Sequence, residues 1–328
     1  MEQSSTEFTV LRSSLIQFSY GVCLEWSLLR GRSLAWEEEQ LSRWLTRERS
    51  RDVMTEQANK TEVELPVTSS VPYQLPPKQR ELFRQVLTLF EEKNVPYAVS
   101  GAFALQLHTG ICRFTKDLDI FLTAPSVPGA LAHLEGSGFA SEICDPVWLA
   151  KVHRDDYFVD LITGMSNGVI RVDDSWIERS YPVTIFGVPT RALAPEELVA
   201  SKLFVTRRER FDGADIAHVI YASRGNLHWD RVLELAGEHW QMVLWALVLF
   251  GYVYPAQARY VPAWLWEDLF SRFAQAVHAP DPRAKFRGSL IDDKMFAIDV
   301  EEWGLPDVLK ECRAKGGIID SLPSSRTA

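Results

Sequence analysis

An amphipathic helix is predicted directly after Pro77 from the spacing of its apolar residues. These residues recur every three or four positions, which places them on one face of a helix. They are Leu82, Phe83, Val86, Leu87 and Phe90. Proline is favoured in the first turn of a helix, and Asn94 is placed to end this one.

Short apolar runs separated by turn residues predict strands and helices in alternation after this helix. The predicted elements are a strand at 97–99, a turn at Ser100-Gly101, a helix at 102–108, a strand at 115–122, a helix that Ser126 caps and that ends near Gly136, a strand at 157–162 and a hairpin at 184–191 around Gly187. The order βαβ followed by further strands predicts an α/β (α+β) domain with a mixed sheet.

The two ends of the chain have a different pattern. From Pro195 onward, long periodic apolar stretches rich in tryptophan predict a mostly helical domain. Prolines alternating with Ser and Thr over 58–77 predict a linker, with a helix at 33–51 before it. The predicted organisation is an N-terminal extension with linker at 1–76, a catalytic domain at 77–192 and a helical C-terminal domain at 193–328.

Composition narrows the class of partner. The 328-residue chain has a formal net charge of −9, so its overall charge would not attract polyanions, and broad DNA binding is not expected. The apolar segment at 11–29 contains Arg12, Gln17 and Glu25, so we interpret it as a packing segment rather than a membrane span. Four widely spaced cysteines are typical of reduced thiols, and a cytoplasmic location is expected. They are Cys23, Cys112, Cys144 and Cys312.

Candidate chemistry is concentrated in two predicted strands. Side chains alternate faces along a strand, so Asp117 and Asp119 point the same way. Asp160 lies in a second strand that could run beside the first, with Asp155 and Asp156 as alternative third carboxylates. Close like charges beside a core are costly unless a cation neutralises them, and magnesium prefers such oxygen ligands.

Three carboxylates on adjacent strands can hold two metal ions for an in-line displacement at phosphorus. Asp160 is the candidate general base. The Ser100-Gly101 turn would bring backbone N–H groups at a helix start close to a triphosphate. Arg113 and Lys116 flank the acids, where they could neutralise phosphate or only balance the carboxylates.

This arrangement resembles the DNA polymerase β-like nucleotidyltransferase superfamily, whose pattern is a glycine turn, a DxD and a later single Asp. The runs at 195–203 and 210–216 look like the second domain of bacterial nucleotidyltransferases related to toxins of toxin–antitoxin pairs. The resemblance implies that Lys202 and Asp215 reach nucleotide, such as ATP. It leaves open whether an antitoxin partner exists. The chain departs from the family at the turn, where Ser100-Gly101-Ala102 replaces two small residues such as Gly-Gly.

The predicted function is therefore magnesium-dependent transfer of a nucleoside monophosphate from a triphosphate to a tRNA, protein or small-molecule hydroxyl. One alternative is a non-catalytic nucleotide- or partner-binding module of the same fold. A second is a serine hydrolase using Ser166, because residues 164–168 match GxSxG after a strand. The cluster Arg207, Arg208 and Arg210 is interpreted as a solvated helix face rather than an acceptor-binding patch.

Overall fold

The computed structural model describes residues 75–315 and Ile319. The predicted packing segment at 11–29, the helix at 33–51, Cys23 and nearly all of the predicted linker lie outside the described residues. In the described part, no helix is long and apolar enough to span a membrane.

A seven-stranded mixed sheet forms the centre of the fold, with strand order β3-β4-β5-β2-β1-β7-β6. The strands are β1 (Ala98–Val99), β2 (Asp117–Phe121), β3 (Ala140–Asp145), β4 (Leu149–Arg154), β5 (Tyr157–Ile162), β6 (Tyr181–Ile185) and β7 (Val188–Ala192). β2 runs parallel to β5 and β1 runs parallel to β7, whereas the other neighbouring pairs are antiparallel. The predicted mixed sheet is confirmed.

Helices in the first part of the chain pack on the sheet. They are α1 (Pro77–Glu92), α2 (Gly101–Thr109), α3 (Val127–Gly136) and α4 (Asp174–Glu178). The apolar face predicted for α1 is buried in a core shared with α3 and β5. Helix α3 begins after Ser126, as predicted, but the Ser126 hydroxyl hydrogen-bonds the Thr123 hydroxyl instead of capping the helix. The predicted hairpin is formed by β6 and β7 around Phe186-Gly187.

From Pro195 to the last described residues the chain is mostly helical, which confirms that part of the predicted fold. Its helices are α5 (Pro195–Lys202), α6 (Gly213–Ser223), α7 (Trp229–Ala236), α8 (Trp240–Val253), α9 (Ala263–His278), α10 (Gly288–Ile291), α11 (Ala297–Glu301) and α12 (Leu309–Ala314). A two-stranded ribbon, β8 (Thr206–Arg207) and β9 (Arg210–Phe211), lies between α5 and α6. One apolar core joins sheet residues such as Phe121 to the helices. The domain boundary at residue 192 stays a prediction.

Candidate active site

Three carboxylates meet where β2 and β5 run side by side. Asp119 is paired in register with Asp160, and Asp117 lies two residues earlier on the same face of β2. One ligand oxygen from each of the three lies within 4.8 Å of the others. Leu118 and Ile120, which alternate with the acids, are fully buried and hold β2 against the core. The apolar positions of this strand therefore determine where its acids point.

The electrostatics of this acidic cluster favour a bound cation. Burial, followed by the charges of Asp117 and Asp160, raises the pKa of Asp119 to about 7. Burial also raises the pKa of Asp160, although Lys151 Nζ lies 2.6 Å from Asp160 Oδ1 and opposes that shift. Carboxylate oxygens at this separation are the donor set of a hard divalent cation, which would relieve the repulsion. The three residues therefore fit a metal site.

The turn at Ser100-Gly101 lies against the same cluster. The Ser100 backbone N–H donates to the Asp119 carbonyl over 2.9 Å, and Gly101 begins α2 with φ +56°. A Cβ atom on residue 101 would lie 1.8 Å from Asp119 Oδ2, so only glycine fits there. The start of α2 is thus brought directly against the carboxylates, as the predicted phosphate-binding turn requires.

A pocket of about 370 Å³ contains the acids and the turn. Its other walls come from the turn before β4, the loop after β5, helix α5 and the β8–β9 ribbon. Its lining residues include Ser100, Gly101, Asp117, Asp119, Asp160, Trp148, Met165, Ser166, Asn167, Ser201, Lys202, Arg207, Arg210 and Asp212. Acidic and basic side chains therefore line one cavity.

The predicted nucleotide-binding residues divide into two groups. Ser100, Gly101 and Lys202 line the pocket. Lys202 is nearly buried and its ammonium lies 2.7 Å from Asp212 and 2.9 Å from Asp215.

The other three predicted residues do not line this pocket. Arg113 pairs with Asp215 and also lies 3.2 Å from His218 Nδ1, so its guanidinium belongs to the ion network behind Lys202. Lys116 is exposed at the start of β2. Asp215 is buried and acts on the pocket only through Lys202.

Three basic residues at the pocket were not assigned to it from the sequence: Lys151, Arg207 and Arg210. Lys151 on β4 lies opposite Asp160 in the β4–β5 hairpin. Arg210 on β9 donates to the Asp212 carboxylate and faces the acids across the cavity. The interpretation of Arg207, Arg208 and Arg210 as a helix face is wrong, because these residues belong to the β8–β9 ribbon and its turn.

Two alternatives from the sequence find no support in the geometry. Asp155 and Asp156 lie in the exposed turn between β4 and β5, where Asp155 pairs with Lys78. Ser166 lies in a loop that folds back so that Gly164 bridges Arg171, and no helix begins at residues 169–173. The strand–turn–helix of a hydrolase nucleophile elbow is therefore missing at Ser166.

The family comparison decides the class of protein. Residues 79–236 match the model of a family described as nucleotidyl transferase of unknown function (DUF2204). The chain carries a nucleotidyltransferase domain. The acids and the Ser100-Gly101 turn lie in this nucleotidyltransferase domain, and so do the helix and ribbon that complete the pocket. The predicted resemblance to nucleotidyltransferases is confirmed, and the protein is an enzyme of that class.

Several solved structures are similar to part of the chain. The antibiotic-resistance factor ANT(2'')-Ia in complex with adenylyl-2''-tobramycin is 17% identical, with 47% of this chain and 92% of that chain covered and a TM-score of 0.35. The lincomycin-bound lincosamide antibiotic adenylyltransferase LnuA is 19% identical over 44% and 96% of the two chains, with a TM-score of 0.32.

A third similar structure is an antigenic nucleotidyltransferase-like protein from Paracoccidioides brasiliensis. It is 17% identical over 57% of this chain and 93% of that chain, with a TM-score of 0.35. No curated protein sequence matches the chain.

Proposed function

We propose that the protein transfers a nucleoside monophosphate from a nucleoside triphosphate such as ATP to an acceptor hydroxyl, with magnesium held by Asp117, Asp119 and Asp160. The observation that carries the proposal is the contact between the start of α2 and the acidic cluster. Gly101 allows backbone N–H groups that suit phosphate to lie beside carboxylates that suit a cation. A metal–triphosphate complex needs both in one place.

The pocket residues would divide the reaction between them. The Ser100-Gly101 turn receives phosphate oxygens, and Lys202 and Arg210 add positive charge from the opposite wall. The acceptor hydroxyl loses its proton to an Asp160 carboxylate oxygen as its own oxygen bonds to the α-phosphorus. The bond from the α-phosphorus to the bridging oxygen breaks and pyrophosphate leaves. Magnesium would supply charge stabilisation for the attacking and leaving oxygens, with room for two ions among three carboxylates.

Lys151 contacts one carboxylate oxygen of Asp160, the proposed general base, and so leaves the other oxygen available. Its ammonium donates to Asp160 Oδ1 and packs 4.0 Å from the centre of the Phe158 ring. The other carboxylate oxygen is then the one available to an acceptor or a metal. Asp160 is held in one orientation, which favours a defined proton transfer.

The next part of the proposal concerns the class of molecule that supplies the acceptor hydroxyl. A tRNA end, a protein hydroxyl and a small molecule all offer a suitable nucleophile, and the net charge of −9 disfavours a large RNA. The resemblance of residues 195–216 to toxin-type enzymes motivates a further part of the proposal: the modification inhibits growth and an antitoxin counteracts it. Growth arrest on expression, abolished in an Asp117→Asn, Asp119→Asn variant, is the expected result.

The direct test is incubation of the full-length protein with each α-labelled nucleoside triphosphate, magnesium and a cell extract. The Asp117→Asn, Asp119→Asn variant keeps side-chain size but removes the charge that binds metal, so we expect label on one fraction with unmodified protein only. Asp156→Asn, which removes an exposed carboxylate in the β4–β5 turn, is the matched control and should transfer normally. Nucleotide binding without transfer of any label would instead indicate a non-catalytic binding module.

A further inference from the structure

The chain after α9 returns to the pocket and contacts three of its walls. This C-terminal segment, residues 286–315, lies beyond the family match at 79–236. Asn167 Nδ2 donates to the Leu290 carbonyl over 3.0 Å, and the Arg208 N–H donates to Asp292 over 3.2 Å. The third contact is made by Arg313 in α12. The C-terminal segment therefore holds the loop after β5, the β8–β9 ribbon and the turn before β4.

Arg313 makes the most extensive of these contacts. Its Nη2 donates to both oxygens of the Asp145 carboxylate, at 2.9 and 3.0 Å, and its Nη1 donates to the Ser166 carbonyl. The side chains of Arg313 and Asp145 are 31% and 26% exposed, so water screens their pairing only in part. Because the guanidinium is planar and rigid, its two nitrogens hold Asp145 and the Ser166 carbonyl in a fixed relative geometry.

Asp145 in turn orients a pocket-lining tryptophan. The Trp148 indole N–H donates to Asp145 Oδ2 over 3.1 Å, and the Val147 N–H donates to Oδ1 over 3.0 Å. Trp148 lines the pocket beyond the carboxyl end of β5, where its carbonyl accepts from the Thr163 N–H. Arg313 therefore contacts Trp148, a side chain that lines the pocket, through one intervening residue, Asp145.

Gly168 shows independently that the C-terminal segment is built to pack here. Its φ is +73°, and a Cβ atom at this position would lie 2.7 Å from the Cys312 carbonyl oxygen and 2.8 Å from Arg313 Cα. The backbone of α12 therefore rests directly on the loop that carries Met165 and Ser166. Only glycine allows this approach.

We propose that Arg313 is a positioning residue for nucleotidyl transfer. It joins the turn that carries Trp148 to the loop that carries Ser166, and so fixes the pocket wall beyond β5 relative to the acidic cluster. Because the proposal rests on the proposed function, its test needs a readout that does not require transfer. Small displacements of bound reactants lower rates strongly, so loosening this wall should slow transfer without unfolding the protein.

The first measurement is the indole N–H spectrum of full-length protein labelled with ¹⁵N-tryptophan, in which Trp148→Phe assigns the Trp148 resonance. Arg313→Gln should move or broaden that resonance, because Asp145 loses the partner that holds it. Lys285→Gln is the matched control: Lys285 directly precedes the C-terminal segment and pairs with Glu311 within it, both side chains are about half exposed, and the resonance should stay in place. A resonance unchanged in Arg313→Gln would overturn the proposal.

The second measurement is the rate of label transfer by the same variants, at saturating and subsaturating nucleotide. Arg313→Gln should be slower by roughly ten- to a hundredfold, and Lys285→Gln should match the unmodified protein. Arg313→Lys keeps the charge but not the second rigidly placed nitrogen that reaches the Ser166 carbonyl, so it should recover part of both the rate and the resonance position. Normal transfer by Arg313→Gln despite a moved resonance would overturn the positioning role. Unmodified protein that transfers nothing would overturn the proposed function, with the spectrum still testing whether Arg313 fixes Trp148.

Discussion

The pocket has an acidic wall, formed by Asp117, Asp119 and Asp160, and a basic wall, formed by Lys202 and Arg210. The two walls differ in whether their charged side chains have partners of opposite charge. On the acidic wall, three carboxylates share one small region, and the salt bridges of the described residues join neither Asp117 nor Asp119 to a basic side chain. On the basic wall, Lys202 lies between Asp212 and Asp215. The acidic wall therefore has unbalanced charge, whereas the basic wall balances its own.

This difference distinguishes side chains that bind a ligand from side chains that stabilise the fold. Like charges held close together destabilise the ligand-free fold and are relieved when a cation binds. Buried ion pairs with their own partners stabilise the local structure only while both partners are present. Changes to the acidic wall should therefore affect metal binding and transfer without lowering stability, whereas changes to Lys202 should lower stability in addition to removing its charge from the pocket.

The strongest expected effect on the acidic wall comes from Gly101→Ala. The added methyl group would collide with the Asp119 carboxylate, displacing it from the cluster, so transfer should fall roughly a thousandfold. The rate of label transfer and the magnesium-induced rise in Tm would measure this. Gly110→Ala is the matched control, because Gly110 ends the same helix with φ +74° and has nothing within 4 Å of a Cβ atom. Equal losses in both variants would show that backbone strain, not the carboxylate contact, is responsible.

The sequence was sufficient to predict the acidic wall, because local periodicity determined it. Alternation along β2 places Asp117 and Asp119 on one face, and one assumption, that β5 lies beside β2, adds Asp160. Lys151 was within reach of the same reasoning. In a hairpin with a two-residue turn at Asp155-Asp156, residues at equal distances before and after the turn pair with each other. Lys151 is therefore paired with Asp160.

The basic wall could not be predicted in the same way. The β8–β9 ribbon turns at Arg208-Glu209, without the Gly or Asn that usually marks a hairpin, so its charged run resembles a continuing helix. Arg313 and Asp145 are 168 residues apart in the chain, and no local pattern links them. Only tertiary packing places the β8–β9 ribbon at the pocket and brings Arg313 to Asp145 beside it.

Lys202→Met tests the basic wall. Removing the ammonium leaves Asp212 and Asp215 as buried carboxylates with one partner fewer, which should lower the free energy of unfolding by about 3 kcal/mol. Urea denaturation would measure the change. Arg272→Met, which removes the partner of Asp268 in a half-exposed pair on α9, should cost well under 1 kcal/mol. A loss of transfer by Lys202→Met with unchanged stability would remove the distinction between the two walls.

The pH dependence of stability should reveal the unbalanced acid. The folded-state pKa of Asp119 is raised to about 7 from an ordinary value of 3.8, so the folded state holds a proton that the unfolded state releases. Stability of the metal-free protein should therefore fall as pH rises from about 4 to about 7 and then level off. Asp119→Asn should lack this component, which amounts to an effect on the order of 4 kcal/mol. The free energy of unfolding of the unmodified protein and of Asp119→Asn would be measured with a chelator present across this pH range. The same pH dependence in both proteins would contradict the assignment of the effect to Asp119.

Arg210→Gln should have the smallest effect, because Arg210 is the least buried member of the basic wall. Its side chain is 66% exposed, and its charge reaches the acids through solvent as well as through Asp212. We expect nucleotide affinity, measured by calorimetry with magnesium and the triphosphate, to weaken roughly threefold at low salt and less at high salt, since screening already reduces the contribution of an exposed charge. Arg283→Gln removes an exposed arginine that pairs with Asp281 outside the pocket and serves as the control. A salt-independent loss of affinity would place Arg210 in direct contact with the nucleotide and make the basic wall a binding surface in its own right.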